Sequence, residues 1–328
     1  MHYDVFNGDA DGIIALLQLR LAYPKESILV TGVKRNISLL DQVDMTQASS
    51  VTVLDISLEK NKQALDKLLN ADIEVFYVDH HRTGDIPKSA KLTSILDTDA
   101  NTCTSLLVNN HLNGRYSHWA IAAAFGDNMH ASATNLAKAV GLSDHQQSQL
   151  NELGTYINYN GYGQQLSDLH VNPADLFKSL LEFPDPFKLI NQKESLFSQL
   201  KKAYLADMAE AEKSIVLSDC GIVKTVVLED APWSRRVSGV FGNALANSAP
   251  DKAHIVVTLR KSKEPNLLSQ VNKRYTVSLR APLNNKQGAG DLCAMFATGG
   301  GRAAAGGIND LPHESLNSFI DKVADFYR

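Results

Sequence analysis

Cysteine is scarce in this chain: Cys103, Cys220 and Cys293 are the only three among 328 residues. Three widely spread thiols make no disulfide framework and match no zinc-binding spacing, which points to a reducing compartment. No apolar run approaches the roughly 18 residues of a membrane span. The start, MHYDVFNGDADG, shows no basic stretch followed by an apolar one, so no signal peptide is read there. The expectation is a cytoplasmic protein with no membrane partner. Positive charge is not in excess either, since 32 basic residues face 36 acidic ones for a net charge of -4. That balance argues against a binder of long nucleic acid, which would hold its partner by neutralising phosphates. Neither G-x-G-x-x-G nor G-x-x-x-x-G-K-[ST] occurs. Dinucleotide-cofactor and nucleoside-triphosphatase readings fall with them.

What is present reads as an ordinary globular chain, 44% hydrophobic and 21% charged, with length for about two domains. Charge is unevenly spread. Residues 213–328 carry 15 basic and 10 acidic side chains, which leaves 17 basic and 26 acidic for residues 1–212. An acidic half beside a basic half suits a metal site facing a phosphate-holding site, although drifting surface charge gives the same numbers. The first hundred residues alternate short apolar runs (Tyr3–Phe6, Ile28–Val33, Val51–Leu54, Val75–Val78) with amphipathic stretches at Ile13–Leu21 and Lys60–Leu69. That alternation predicts a parallel sheet with helices on its faces. From Cys103 to Leu200 the pattern turns helical, and Leu189–Leu217 reads as a connector helix. Strand-like runs return at Gly221–Leu228, His254–Leu259 and Tyr275–Leu279, separated by helical patterns at Val237–Asn247 and Leu292–Ala297. The predicted fold class is α/β: an N-terminal parallel-sheet domain with a helical part over 1–188, a connector over 189–217, and a smaller C-terminal α/β substrate domain over 218–328.

Four segments place acids or histidines behind apolar runs: Asn7-Gly8-Asp9-Ala10-Asp11-Gly12, Leu54-Asp55-Ile56-Ser57, Asp79-His80-His81 and Gly126-Asp127-Asn128. One aspartate after a strand is commonly a helix cap or a turn former. Three such strands in one parallel sheet differ, because their carboxyl ends lie side by side where such sheets place ligands. Carboxylate oxygen and imidazole nitrogen without thiolate suit manganese or magnesium better than zinc. Two such ions about 4 Å apart can serve an in-line displacement at phosphorus, with Asp55 bridging them.

In this order the segments resemble the DHH phosphoesterase superfamily. The C-terminal Gly299-Gly300-Gly301-Arg302-Ala303-Ala304-Ala305-Gly306-Gly307 is similar to the glycine-rich signature of its DHH-associated substrate domain. Ser278-Leu279-Arg280 resembles that domain's strand-borne arginine. The resemblance implies metal ligation by Asp9, Asp11, Asp55, His80 and Asp127, with two divalent cations, manganese first and magnesium second. It implies contact of His81 with the scissile phosphate or leaving group, and orientation of His80 by Asp79. Asn7 departs from it, standing where many relatives have another acid or histidine. So does Arg302, which stands where the signature usually carries histidine.

Gly299, Gly300 and Gly301 let backbone N–H groups approach an anion, with a helix expected to begin at Arg302. The alternative is a tight turn with close helix packing through Ala303–Ala305. Arg280 can add a bidentate phosphate contact or serve as a surface salt bridge. Tyr156, Tyr159 and Tyr162 read as a polar loop offering a stacking surface or ordinary loop packing. Thr102, Thr104 and Ser105 read as caps of a following helix.

The expected activity is metal-dependent phosphodiester hydrolysis of short linear oligonucleotides, 5′-phosphorylated diribonucleotides such as pGpG foremost. Compact length, negative charge and the lack of extra nucleic-acid modules favour that size class, in which the resemblance includes nanoRNA hydrolases. A single-strand-specific exonuclease of the same superfamily and a non-catalytic nucleotide sensor are the alternatives. A homodimer is left open.

Overall fold

Val5, Val53, Tyr77 and their neighbours are buried on both faces of a sheet, as parallel strands between helices require. A computed structural model of the chain describes residues 1–99, 101–260 and 273–328. It divides into two units, residues 1–203 and 204–328. The first unit runs β1 His2–Phe6, α1 Ala10–Ala22, β2 Ile28–Val30, β3 Ser50–Leu54, α2 Leu58–Asn70, β4 Glu74–Asp79 and β5 Leu92–Leu96. Their order is β2-β1-β3-β4-β5, every neighbouring pair parallel. β5 carries no apolar run, since Leu-Thr-Ser-Ile-Leu pairs only as the half-exposed edge strand. The apolar pattern therefore does not announce it.

Helices α3 Thr104–His111, α4 Ser117–Gly126, α5 His130–Ala139, α6 Asp144–Gly161, α7 Pro173–Leu180 and α8 Pro186–Asn191 follow. Helix α4 is apolar on all sides, with Trp119 and the run Ala120–Ala124 fully buried, as its sequence demands. It crosses α6 where two glycines meet. A Cβ on Gly154 would lie 1.8 Å from the Ala122 carbonyl oxygen, and one on Gly126 would lie 2.7 Å from the Gly154 carbonyl oxygen.

Two expectations fail here. Tyr156 and Tyr159 are not in a loop but inside α6, both buried. The Asn- and Tyr-rich polarity that suggested a loop belongs to a helix lying against the sheet loops. The connector is not one helix over 189–217. Chain geometry breaks at Glu194, whose φ of 52 is left-handed, and α9 spans only Leu196–Ala211. Ile215-Val216-Leu217 then enters β6 Ile215–Asp219, as β-branched residues favour.

The second unit continues through β7 Val223–Leu228, α10 Pro232–Ser248, β8 Ala253–Arg260, β9 Arg274–Arg280, α11 Ala289–Ala294, β10 Gly299–Arg302, β11 Ala305–Pro312 and α12 Leu316–Tyr327. Its mixed sheet has the order β10-β11-β9-β8-β7-β6. Ile255, Val257, Val277, Leu279 and Ile308 form its core with Leu292, Phe319 and Val323 from α11 and α12. No helix starts at Arg302: Gly299–Arg302 is a strand paired antiparallel with Ala305–Ile308 across a turn at Ala303-Ala304.

Candidate metal centre

The ladders of the first sheet run one residue past their strands, since Asn7 N–H donates to the Leu54 carbonyl at 3.2 Å and Asp55 N–H to Val78 at 3.1 Å. The residues that follow β1, β3 and β4 are thereby held abreast. Asp55 sits in left-handed backbone, φ 58, which Asp tolerates better than most side chains. Tyr77 clamps that turn, its hydroxyl donating to the Ile56 carbonyl at 2.6 Å. Asp127 arrives from the C-terminus of α4, brought in by the close Gly126–Gly154 crossing.

The carboxylates have partners that spacing does not reveal. Oδ1 of Asp9 accepts from the Asp11 and Gly12 amides, both at 3.1 Å, so Asp9 caps α1. Asp11 caps a different helix: its two oxygens accept from the Thr104 and Ser105 amides of α3 at 2.8 and 2.7 Å. The hydroxyls expected to cap α3 point elsewhere, Thr104 to Asp55 at 3.2 Å and Ser105 to the Asp11 carbonyl at 2.8 Å.

His80 Nδ1 lies 3.0 Å from the Thr102 carbonyl, a contact only a protonated nitrogen makes. That turns the Nε2 lone pair toward Asp55 at 3.5 Å and toward Asp11 and Asp127, both at 3.9 Å. This is the tautomer a metal-ligating imidazole needs. His81 Nδ1 lies 2.7 Å from Asp79 Oδ1. Asp79, expected to orient His80, holds His81 instead, and His80 rests on the Thr102 carbonyl. The alternation of strand β4 carries Asp79 and His81 to one side together, two residues apart.

Electrostatics follow from this crowding. Burial, then the charges of Asp11, Asp9, Asp127 and Asp79, pushes the Asp55 carboxyl well above the usual carboxylate range. Burial acts on Asp9 in the same direction, but the Lys34 ammonium and the hydrogen bonds from Lys34 and Gly12 outweigh it and bring Asp9 down to about 2. Such a cluster fits a divalent ion. Ligand atoms of Asp11, His80 and Asp127 lie within 4.8 Å of one another, as do those of Asp55, His80 and His81. Asp9 belongs to neither group among the described residues.

Sequence reasoning missed Lys34 and Asn158. Lys34 Nζ lies 2.6 Å from Asp9, 3.2 Å from Asn158 and 3.6 Å from Asp127. The signal for Lys34 was its place just behind β2, on the same carboxyl edge as the acids. Asn158 sits one helical turn after Gly154, and only the glycine crossing shows that this turn faces the centre.

In the second unit the expected phosphate residues divide. Arg280 anchors α10 to β9: its Nε donates to Asn243 at 2.5 Å, and its terminal nitrogens to Ser278 and to the Gly239 carbonyl, both at 3.0 Å. The glycines admit α11 against the β10–β11 hairpin. A Cβ on Gly299 would lie 1.8 Å from the Cys293 carbonyl, whereas Gly300 has open space. Arg302 is exposed at the hairpin end.

No family model and no curated protein matches the chain. Solved structures do. The manganese-bound exonuclease RecJ superposes with a TM-score of 0.61 at 15% identity, covering 99% of this chain and 89% of that one. RecJ with Mn2+ from Thermus thermophilus gives 0.60 at 14% identity, with 99% of this chain but 52% of that one. The pGpG-specific phosphodiesterase PggH from Vibrio cholerae gives 0.54 at 11% identity, covering 99% and 98%. The chain has the fold of the DHH phosphoesterases, with Asp79-His80-His81 seated at the end of β4 beside the acids that follow β1 and β3.

Proposed function

We propose that the chain is a metal-dependent phosphodiesterase that hydrolyses short linear oligonucleotides to mononucleotides, 5′-phosphorylated diribonucleotides such as pGpG foremost. One observation carries this reading: the His80 Nε2 lone pair faces Asp55 at 3.5 Å and Asp11 and Asp127, both at 3.9 Å. Those residues would hold a divalent ion, manganese before magnesium, which supplies a Lewis acid and an activated water for displacement at phosphorus. The chain's own contribution is positioning and charge. Thr102 and Asp79 fix the two imidazoles, and the amides of α3 fix Asp11. His81, 36% exposed and oriented by Asp79, offers its other nitrogen to the leaving ribose oxygen.

Support for a short substrate comes from the net charge of -4 and from likeness over nearly full length to a protein named for pGpG hydrolysis. Its partner would be that small substrate rather than long nucleic acid. The test is a hydrolysis panel of RNAs of two to ten nucleotides, with manganese and with chelator. Rates are expected to need manganese and to fall steeply with length. Equal rates on dimer and ten-mer favour the exonuclease reading, and tight nucleotide binding without turnover favours a sensor.

A further inference from the structure

Lys34 sits where a cation would. Its ammonium has three oxygen partners, the Asp9 and Asn158 side chains at 2.6 and 3.2 Å and Asp127 Oδ1 at 3.6 Å, and it faces the Tyr162 ring at 5.4 Å from the centroid. This is not a passing surface lysine. Its amide donates to the Gly161 carbonyl at 2.9 Å, its carbonyl accepts from Asn7 at 3.3 Å, and its side chain is 24% exposed. Three separate elements hold it: the β1–α1 loop, the C-terminal turn of α6 and the end of α4.

Asp9 is engaged by the same arrangement on both oxygens, and one of its partners is a full positive charge. One oxygen takes two amides of α1, and the other takes the ammonium. Asp127 is split, with Oδ1 toward Lys34 and Oδ2 toward His80. Asn7, neutral and buried, spends its amide on the Lys34 carbonyl instead of adding an anion to the centre. A divalent ion on Asp9 would share a carboxylate oxygen with an ammonium and meet its repulsion at close range.

We infer that Lys34 is a built-in cation of this centre, its ammonium taking the Asp9–Asp127 position, so that the chain binds one divalent ion, at Asp11, Asp55, His80 and Asp127, instead of two. This rests on the proposed metal-dependent function for its purpose but not for its test. Mn2+ alone is the probe, with ions per chain read by equilibrium dialysis and magnetic coupling read by electron paramagnetic resonance. The wild-type protein is expected to bind one Mn2+ with an uncoupled six-line spectrum. Lys34→Met, checked for fold by circular dichroism, is expected to bind two with an exchange-coupled spectrum, and Lys34→Arg one. Two coupled ions in the wild type, or a single ion in both wild type and Lys34→Met, overturn the inference. Hydrolysis of pGpG by the same samples is a separate readout. Its absence sinks the proposed function while one-ion stoichiometry still supports Lys34, and turnover with two wild-type ions does the reverse.

Discussion

Asp55 shows what the centre costs the metal-free protein. It is buried among four other acids, and its carboxyl stays protonated to higher pH than usual. Its raised value makes it a liability above the ordinary carboxylate range and harmless below it, because the folded state then binds the proton that the unfolded state also binds. Asp55→Asn keeps a side chain that accepts left-handed backbone and removes the charge. Without metal at pH 7 this variant is expected to gain about 1–2 kcal/mol, or roughly 2–8 °C in Tm, and the gap should close toward pH 4. Melting curves that coincide at pH 7 contradict the electrostatic account.

Asp79 makes a second test at this scale. If it serves His81, Asp79→Asn should lower kcat about 10- to 100-fold while the number of manganese ions bound stays unchanged. Loss of an ion instead would assign Asp79 to metal binding. His254 lies in the other unit, fully buried. Burial, then the Lys224 ammonium, holds it below its ordinary 6.5. A depressed value means that stability is complete above 6.5 and is lost as pH falls below it, because the unfolded chain protonates first. Tm should therefore fall more between pH 7 and 5 for wild type than for His254→Leu, and parallel curves would remove His254 from the acid response.

Elements show what local pattern reveals and what it hides. Strands β1, β3 and β4 were legible because β-branched and aromatic runs end in acids. Asp9, Asp11, Asp55 and His80 stand out at those ends, whereas Asp127 follows helix α4, and the resemblance is what joins the five into one ligand set. The roles within the set do not stand out. Whether Asp11 caps its own helix or α3, and which imidazole Asp79 holds, depends on packing between elements distant in sequence. The helix expected at Arg302 is absent for a related reason, because a strand under a helix and a loop leading into one both need glycine. In the hairpin, Gly299→Ala should cost about 1–3 kcal/mol by urea denaturation, since its Cβ would strike the Cys293 carbonyl, while Gly300→Ala should stay within about 1 kcal/mol. Equal costs would mean that α11 does not rest on β10 as described. Arg302 keeps its charge at any working pH and is a poor proton donor. Arg302→Ala should lower kcat/KM for 5′-phosphorylated substrates about tenfold to a hundredfold and spare those lacking that phosphate. Equal slowing of both would remove it as the 5′-phosphate contact.

For the whole molecule, the strand-end acids of one unit are the chemistry on which everything else depends. Among the described residues no helix is long and apolar enough to cross a membrane, and the charge excess lies with the acids. The most direct measurement is the initial rate of pGpG conversion to GMP as manganese is titrated, with wild type and Asp55→Asn in the same assay. A rate that rises to saturation in the wild type and stays below about 1% of it in the variant is the expected result. Turnover that persists in chelator, or that is equal in the two proteins, would contradict a metal-dependent reaction at this centre.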